Sequence, residues 1–168
     1  LLPVDIDAGQ INQVINNIMI NAQQAMPEGG TIHVGAENIV SSGITATQGL
    51  ILDKGEYIKI SITDHGTGIP ANHLNKVFDP YFTTKEKGTG LGLAICHSII
   101  KKHGGYITVE SAVGQGTTFY IYLPASPRRE TAKQGESRAT AQGKGKILVM
   151  DDEDMIRAII SEMLDSLG

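Results

Sequence analysis

The residues with the clearest chemical potential are an acidic glycine turn, two asparagines and a second glycine-rich segment. Asp64 opens the turn Asp64-His65-Gly66-Thr67-Gly68, and the chain later reads Gly88-Thr89-Gly90-Leu91-Gly92. A carboxylate can accept a hydrogen bond from an exocyclic amine such as that of adenine. Free backbone N–H groups at the start of a helix attract phosphate. Together these patterns favour a pocket for a nucleotide.

The two asparagines, Asn17 and Asn21, lie four residues apart in a segment with helical periodicity. Side chains at this spacing project from the same side of a helix. A neutral amide oxygen can coordinate Mg²⁺ without adding negative charge beside a triphosphate. The alternative is that both asparagines only hydrogen-bond a neighbouring loop, just as Asp64 can begin an ordinary strand-to-loop turn.

The second glycine segment follows Lys85, whose ammonium is suited to neutralising the terminal phosphates of a nucleotide. It is not a Walker A loop, because no lysine follows the last glycine in the required place. It is not a dinucleotide fingerprint either, because no strand runs directly into it. The alternative interpretation is a flexible loop with solvated lysines.

Helices and strands in a definite order must position these groups. Asp7 can cap a helix whose apolar residues recur from Ile11 to Ala25, and an apolar helix is predicted from Leu91 to His103. A short helix is predicted around 71–76 and strands over 31–36, 58–64, 106–110 and 117–123, with 39–55 and 79–90 as loops. Helices followed by strands grouped late predict an α+β fold, a two-layer sandwich.

Composition limits the classes of protein. The 168 residues are 40% hydrophobic with a formal net charge of −4, which argues against general binding of nucleic acid or anionic membranes. The lone cysteine, Cys96, excludes a disulfide framework and is expected in the core. The five histidines lack metal-ligand spacing. No apolar run approaches the length of a membrane span, so we expect a cytoplasmic fragment without membrane contact, whose parent protein can still be membrane-anchored.

Charge divides the chain into three segments. Residues 125–146 carry a net charge of +4 and residues 147–168 a net charge of −5. We predict a folded domain over 1–124, a disordered linker over 125–145 that is poor in large apolar residues, and a further fragment over 146–168.

Residues 1–124 resemble the catalytic ATP-binding domain of bacterial sensor histidine kinases, of the Bergerat-fold ATPase superfamily. Asn17 to Asn21 match the N box of that family, Asp64 to Gly68 the first glycine box, Phe78 to Phe82 the F box and Gly88 to Gly92 the second glycine box. The resemblance implies a two-layer sandwich of a mixed, mostly antiparallel sheet and about three helices, with ATP held between helices and a mobile lid.

The resemblance also implies roles for individual residues. Asn21 would bind Mg²⁺, Asn17 would support the phosphates, and Asp64 would pair with the adenine amine. Gly66 and Gly68 would shape the adenine wall, and Thr117 would lie behind the base. Lys85 and the second glycine box would form the lid and the phosphate cradle. The nucleotide-binding residues implied are Asn17, Asn21, Asp64, Gly66, Gly68, Lys85, Gly88, Thr89, Gly90, Leu91, Gly92 and Thr117.

The residue one helical turn before the metal-binding asparagine separates a kinase from an ATPase. Relatives such as gyrase and the heat-shock chaperone ATPases carry a glutamate there, which activates water. Here the residue is Asn17, which cannot accept a proton. We therefore predict slow hydrolysis, with ATP kept for transfer to another acceptor.

The C-terminal fragment has its own resemblance. Lys146 to Glu153 is similar to the opening strand and acidic pair of a response-regulator receiver domain, which would make the parent protein a hybrid kinase. The alternative is an acidic helix cap after any buried strand. The implied partners are the dimerisation hairpin that carries the phosphorylated histidine and a receiver domain or response regulator.

Three functions remain open from the sequence. The leading hypothesis is the ATP-binding portion of a protein-histidine kinase, which requires a separate hairpin. The second is a serine kinase of the anti-sigma type on the same fold. The third is a non-catalytic module whose bound nucleotide switches a contact with a partner.

Overall fold

A four-stranded antiparallel sheet with helices packed on one face forms the described part of the chain. The computed structural model describes residues 1–43, 46–47, 50–85 and 88–126. The strands are β1 (His33–Ser41), β2 (Ala46–Thr47), β3 (Leu50–Ile51), β4 (Gly55–Asp64), β5 (Tyr106–Ala112) and β6 (Gly116–Pro124). The helices are α1 (Ala8–Ala25), α2 (Ala71–Leu74) and α3 (Gly92–Lys102). The sheet has the order β1-β4-β6-β5, and β2 pairs with β3 separately.

The predicted α+β two-layer fold is confirmed. The resemblance implied a mixed sheet, whereas every strand pairing within the described ranges is antiparallel. Alternation along β6 explains the layering: Phe119, Ile121 and Leu123 face the helices, and Tyr122 packs with Tyr57 on the other face.

Helix α1 begins where the sequence predicts. The carboxylate of Asp7 accepts the backbone N–H of Gln10 at 3.0 Å, which satisfies a free donor of the first turn. The apolar face of α1 packs against α3 and the sheet. Its buried residues are Ile11, Val14, Ile18 and Ala22. Cys96 of α3 is fully buried in the same core, as predicted.

The loop prediction for residues 39–55 is wrong at its beginning and in its middle. Strand β1 continues to Ser41, because Ile39 pairs with Tyr57 and Ser41 with Gly55 of β4. The hydroxyl of Ser41 donates to the Leu52 carbonyl at 3.1 Å, which joins the two ends of the segment between β1 and β4. These contacts join residues distant in sequence, so local periodicity does not reveal them.

The first two residues of the predicted linker are held in place. Ala125 forms an antiparallel bridge with Val4, and the Ser126 N–H donates to the Pro3 carbonyl at 2.7 Å. The linker prediction is therefore wrong for these two residues. Its remainder and the receiver-like fragment, residues 127–168, lie outside the described residues. No helix in the described ranges is long and apolar enough to cross a membrane.

Candidate nucleotide-binding site

A cleft of about 540 Å³ brings the separate sequence patterns together. Its lining comes from α1, the end of β4, α2, the segment before α3, and β6. This size suits a small-molecule ligand. Ten of the twelve predicted nucleotide-binding residues line it: Asn17, Asn21, Asp64, Gly68, Lys85, Gly88, Thr89, Gly90, Gly92 and Thr117.

Asp64 ends β4 and is only 4% exposed. Its Oδ1 accepts two backbone N–H groups, from Gly66 at 2.9 Å and from Thr117 at 3.2 Å. Two such bonds fix the orientation of a buried carboxylate. Among the described residues, Oδ2 accepts no hydrogen bond and is left for a donor in the cleft.

A hydroxyl network behind Asp64 holds the floor of the cleft. Ser111 donates to the Gly116 carbonyl at 2.7 Å and lies 3.0 Å from the hydroxyl of Thr117. Its oxygen also accepts the backbone N–H of Ile69 at 2.8 Å. Ser111 was not singled out from the sequence, because a serine in an exposed-looking strand carries no local signal.

The first glycine box is shaped by close packing. Gly68 has φ +70°, and a Cβ there would stand 2.0 Å from the Ala112 carbonyl oxygen. Gly66 does not line the cleft, since a Cβ there would meet Ala25 at the end of α1 at 2.6 Å. The Thr67 N–H donates to the Ala25 carbonyl, which ties the turn to α1. Gly66 therefore supports the wall from behind.

Asn17 connects the two main helices. Its Nδ2 donates to the Gly92 carbonyl at 3.2 Å, so the amide spans from α1 to the first turn of α3. Leu91 immediately precedes α3 and does not line the cleft; its carbonyl accepts the Ile95 N–H. Leu91 thus contributes to the helix start without facing the cavity.

Lys85 reaches back across the cleft to α1. Its Nζ donates to Asn21 Oδ1 at 2.9 Å and also to Gln24 Oε1. Burial lowers the pKa of Lys85, because removing an ammonium from water disfavours its charged form. The cation thus lies beside the predicted metal ligand.

The segment before α3 is closed at its base by Tyr81 and Gly90. The Tyr81 N–H donates to the Gly90 carbonyl at 2.9 Å, and both residues have positive φ, +67° and +66°. A Cβ on Gly90 would stand 2.4 Å from the Tyr81 carbonyl carbon. A non-glycine residue in the left-handed region is uncommon, so this contact constrains the backbone beside the cavity.

Five polar residues that line the cleft were not among the predicted nucleotide-binding residues: Gln24, Thr67, His73, Thr83 and Thr84. Gln24 lies three residues after Asn21, a spacing that could have indicated it. His73 of α2 packs its ring against Phe82, with centroids 5.4 Å apart, and its Nδ1 is buried without a partner among the described residues. The His73 position carries no recognisable sequence signal.

The donor set fits Mg-ATP. The cleft offers neutral amide oxygens on α1, and Asp64 and Lys85 are the charged side chains among its described lining residues. Neutral oxygens suit a metal already paired with phosphates. No group of three His, Cys, Asp or Glu side chains in the described ranges resembles a metal site of its own. Asn21 and its neighbours on α1 would hold the metal, which would shield the phosphate charge.

Residues 6–127 match the family described as "Histidine kinase-, DNA gyrase B-, and HSP90-like ATPase". The chain is 42% identical to the sensor kinase CckA of Brucella abortus over all of its own length and 19% of that protein. It is 41% identical to the sensor histidine kinase ZraS of Escherichia coli over 76% of this chain and 24% of that protein. The chain therefore spans about a fifth to a quarter of these relatives.

Solved structures agree with the sequence relatives. A mycobacterial sensor histidine kinase, MprB, superposes with a TM-score of 0.59 at 31% identity, covering 74% of this chain and 76% of that one. The catalytic domain of histidine kinase ThkA gives a TM-score of 0.58 at 34% identity, covering 74% and 72%.

Proposed function

Since the chain belongs to the family of histidine kinase-, DNA gyrase B- and HSP90-like ATPases, we propose that it binds Mg-ATP and donates the γ-phosphate to a histidine on a separate dimerisation hairpin. The observation that carries this proposal is the convergence of Asn21, Asp64, Lys85 and Thr117 on one cleft. These residues come from four segments that are distant along the chain.

We propose a role for each of these residues that is compatible with its contacts. Oδ2 of Asp64 accepts the adenine amine, while Oδ1 stays bound to the backbone. Thr117 lies behind the base. Asn21 binds the metal, and Asn17 holds the start of α3 in place for the phosphates. Lys85 supplies positive charge opposite them, and the glycine segment 88–92 lets the backbone approach them.

The site favours phosphoryl transfer over hydrolysis. Transfer of a phosphoryl group depends mainly on positioning and on neutralisation of charge. Asn17 occupies the place from which a carboxylate would activate water, and its amide donates to the Gly92 carbonyl. The chain therefore lacks a general base there, and the phosphate is retained for an external acceptor.

The relatives favour a histidine acceptor over a serine acceptor, because their names describe sensor kinases and sensor histidine kinases. A two-component role implies a cytoplasmic domain that works with the dimerisation hairpin and with a receiver domain or response regulator. A receiver of its own, beginning near Lys146, belongs to the same proposal.

The chemistry of the phosphorylated product tests the proposal. The chain would be incubated with γ-labelled ATP and with the hairpin of the parent kinase as a separate polypeptide. We expect label on the hairpin that is lost in acid, because phosphohistidine is acid-labile and phosphoserine is not. Acid-stable label would favour the serine kinase. ATP binding without any transfer would favour the non-catalytic switch.

A further inference from the structure

Two side-chain oxygens of α1 converge on a single cation. Lys85 Nζ donates to Asn21 Oδ1 at 2.9 Å and to Gln24 Oε1 at the same time. Asn21 and Gln24 are three residues apart on one helix, so their side chains are neighbours. The lysine that joins them lies 64 and 61 residues further along the chain.

The ammonium is held there without a compensating negative charge. Within the described ranges, the one salt bridge joins Lys59 to Glu37, and no carboxylate pairs with Lys85. Neutral oxygens bind a cation less strongly than the charged oxygens of a phosphate do. Lys85 is therefore poised to leave Asn21 and Gln24 when a triphosphate enters the cleft.

We propose that Asn21 and Gln24 form a two-oxygen cation seat, which Lys85 fills in this structure and which the metal of Mg-ATP takes over. This inference rests on the proposed binding of Mg-ATP and assigns a metal-binding role to Gln24. Two cations on the same oxygens repel each other. Lys85 and the metal are thus alternative occupants of the seat, and the lysine moves to the phosphates.

Measuring the affinity for ATP with and without metal separates the contribution of metal binding from that of nucleotide binding. Equilibrium dialysis with labelled ATP would be carried out once in excess EDTA and once in saturating Mg²⁺. The ratio of the two dissociation constants is the metal gain. This ratio requires no phosphoryl transfer, and it distinguishes a residue that binds the metal from a residue that binds the nucleotide.

The decisive variant is Gln24→Met, which removes the oxygen and keeps a long side chain suited to a helix. We expect its affinity for metal-free ATP to stay within about twofold of the wild type. The metal gain should fall by at least about tenfold, the lower end of the loss found when residues that support metal ligands are replaced. The matched control is Gln23→Met, the same exchange one residue earlier on an exposed position that does not line the cleft.

Lys85→Met tests the other occupant. Loss of the ammonium should weaken binding of metal-free ATP, because no cation from this position then faces the phosphates. The metal gain should rise above that of the wild type, because the ammonium on the phosphates and the metal beside them repel each other, and this repulsion is lost in the variant. The metal gain is expected to fall in Gln24→Met and to rise in Lys85→Met. A general folding defect would not change the ratio in opposite directions, and thermal unfolding of both variants measures any such defect.

Several results would overturn the inference while leaving the proposed function intact. One is an unchanged metal gain in Gln24→Met, with Mg-ATP still bound by the wild type. Another is an equal loss of affinity with and without metal in that variant, which would make Gln24 a nucleotide ligand. A Lys85→Met protein with wild-type values in both conditions would also overturn it. If the wild type binds no ATP in either condition, the proposed function itself fails.

Discussion

Asp64 and Thr117 lie directly opposite each other on β4 and β6, and the carboxylate of Asp64 accepts the Thr117 N–H at 3.2 Å. The strand pairing thereby fixes which oxygen of Asp64 is engaged. Oδ1 binds the backbone, and Oδ2 faces the cleft without a partner among the described residues. The two backbone hydrogen bonds therefore hold the carboxylate in one orientation at the cleft.

Asp64→Asn should weaken the binding of Mg-ATP by roughly 1.5–3 kcal/mol, the range for a hydrogen bond to a charged group. The amide oxygen can still accept the N–H groups of Gly66 and Thr117, but Nδ2 then places a donor against the amine of the base. Calorimetry on wild type and variant measures the difference. Equal affinities, with equal thermal stability, would contradict the role given to Asp64.

Gly68→Ala should destabilise the fold more than Gly114→Ala. Both glycines have positive φ, +70° and +76°, so both alanines carry similar backbone strain. At Gly68 the new Cβ would also stand 2.0 Å from the Ala112 carbonyl oxygen, whereas nothing lies within 4 Å of the corresponding position at Gly114. We expect an additional loss of about 1–3 kcal/mol at Gly68 from overpacking.

Chemical denaturation of the two glycine variants measures this difference in the free energy of unfolding. The Gly114 variant serves as the control for strain alone. The Gly68 variant should also bind ATP more weakly, since the turn lines the cleft. Equal stability of the two variants would show that the turn relaxes freely.

Cys96 should make stability depend on alkaline pH. Burial raises the pKa of its thiol from 9.0 to about 11, so the folded protein holds the neutral thiol above the pH at which the unfolded chain ionises. This contribution is fully present below pH 9.0 and is lost as the pH rises through about 11. The loss amounts to at most about 2.7 kcal/mol, two pKa units.

The matched control for the thiol is Cys96→Ser, which does not titrate and can keep the contact with the Val14 carbonyl. Unfolding by denaturant would be measured from pH 8 to 11 in both proteins. The tyrosines titrate alike in both, so the difference in slope isolates Cys96. Parallel curves for the two proteins would refute the prediction, as would rapid alkylation of the native thiol at pH 8.

The chain should hydrolyse ATP at a negligible rate. The amide of Asn17 cannot accept a proton from water, and its Nδ2 is engaged by the Gly92 carbonyl. Release of labelled phosphate from Mg-ATP measures the rate. A rapid, Mg²⁺-dependent rate that persists through a second purification would contradict the absence of a general base.

Local sequence patterns predicted those helices and strands that are determined by residues close together in the sequence. Helix α1 has its cap at Asp7 and its buried face from Ile11 to Ala22, as the apolar spacing predicted. The sequence missed the end of β1, since Ile39 and Ser41 are strand residues only through their pairing with β4. The segment between β1 and β4 shows no regular spacing of apolar residues. It is held instead by pairing with distant residues and by the hydrogen bond from Ser41 to the Leu52 carbonyl.

The sequence alone determined the family resemblance and ten of the residues that line the cleft, because residue types such as an aspartate in a glycine turn limit local chemistry wherever the chain carries them. Only the tertiary structure decided how these groups meet. In the structure, Gly66 and Leu91 do not line the cleft, and Lys85 hydrogen-bonds Asn21 and Gln24. The physical reason is that a contact across more than sixty residues depends on how the helices pack on the sheet, which leaves no periodicity in the sequence.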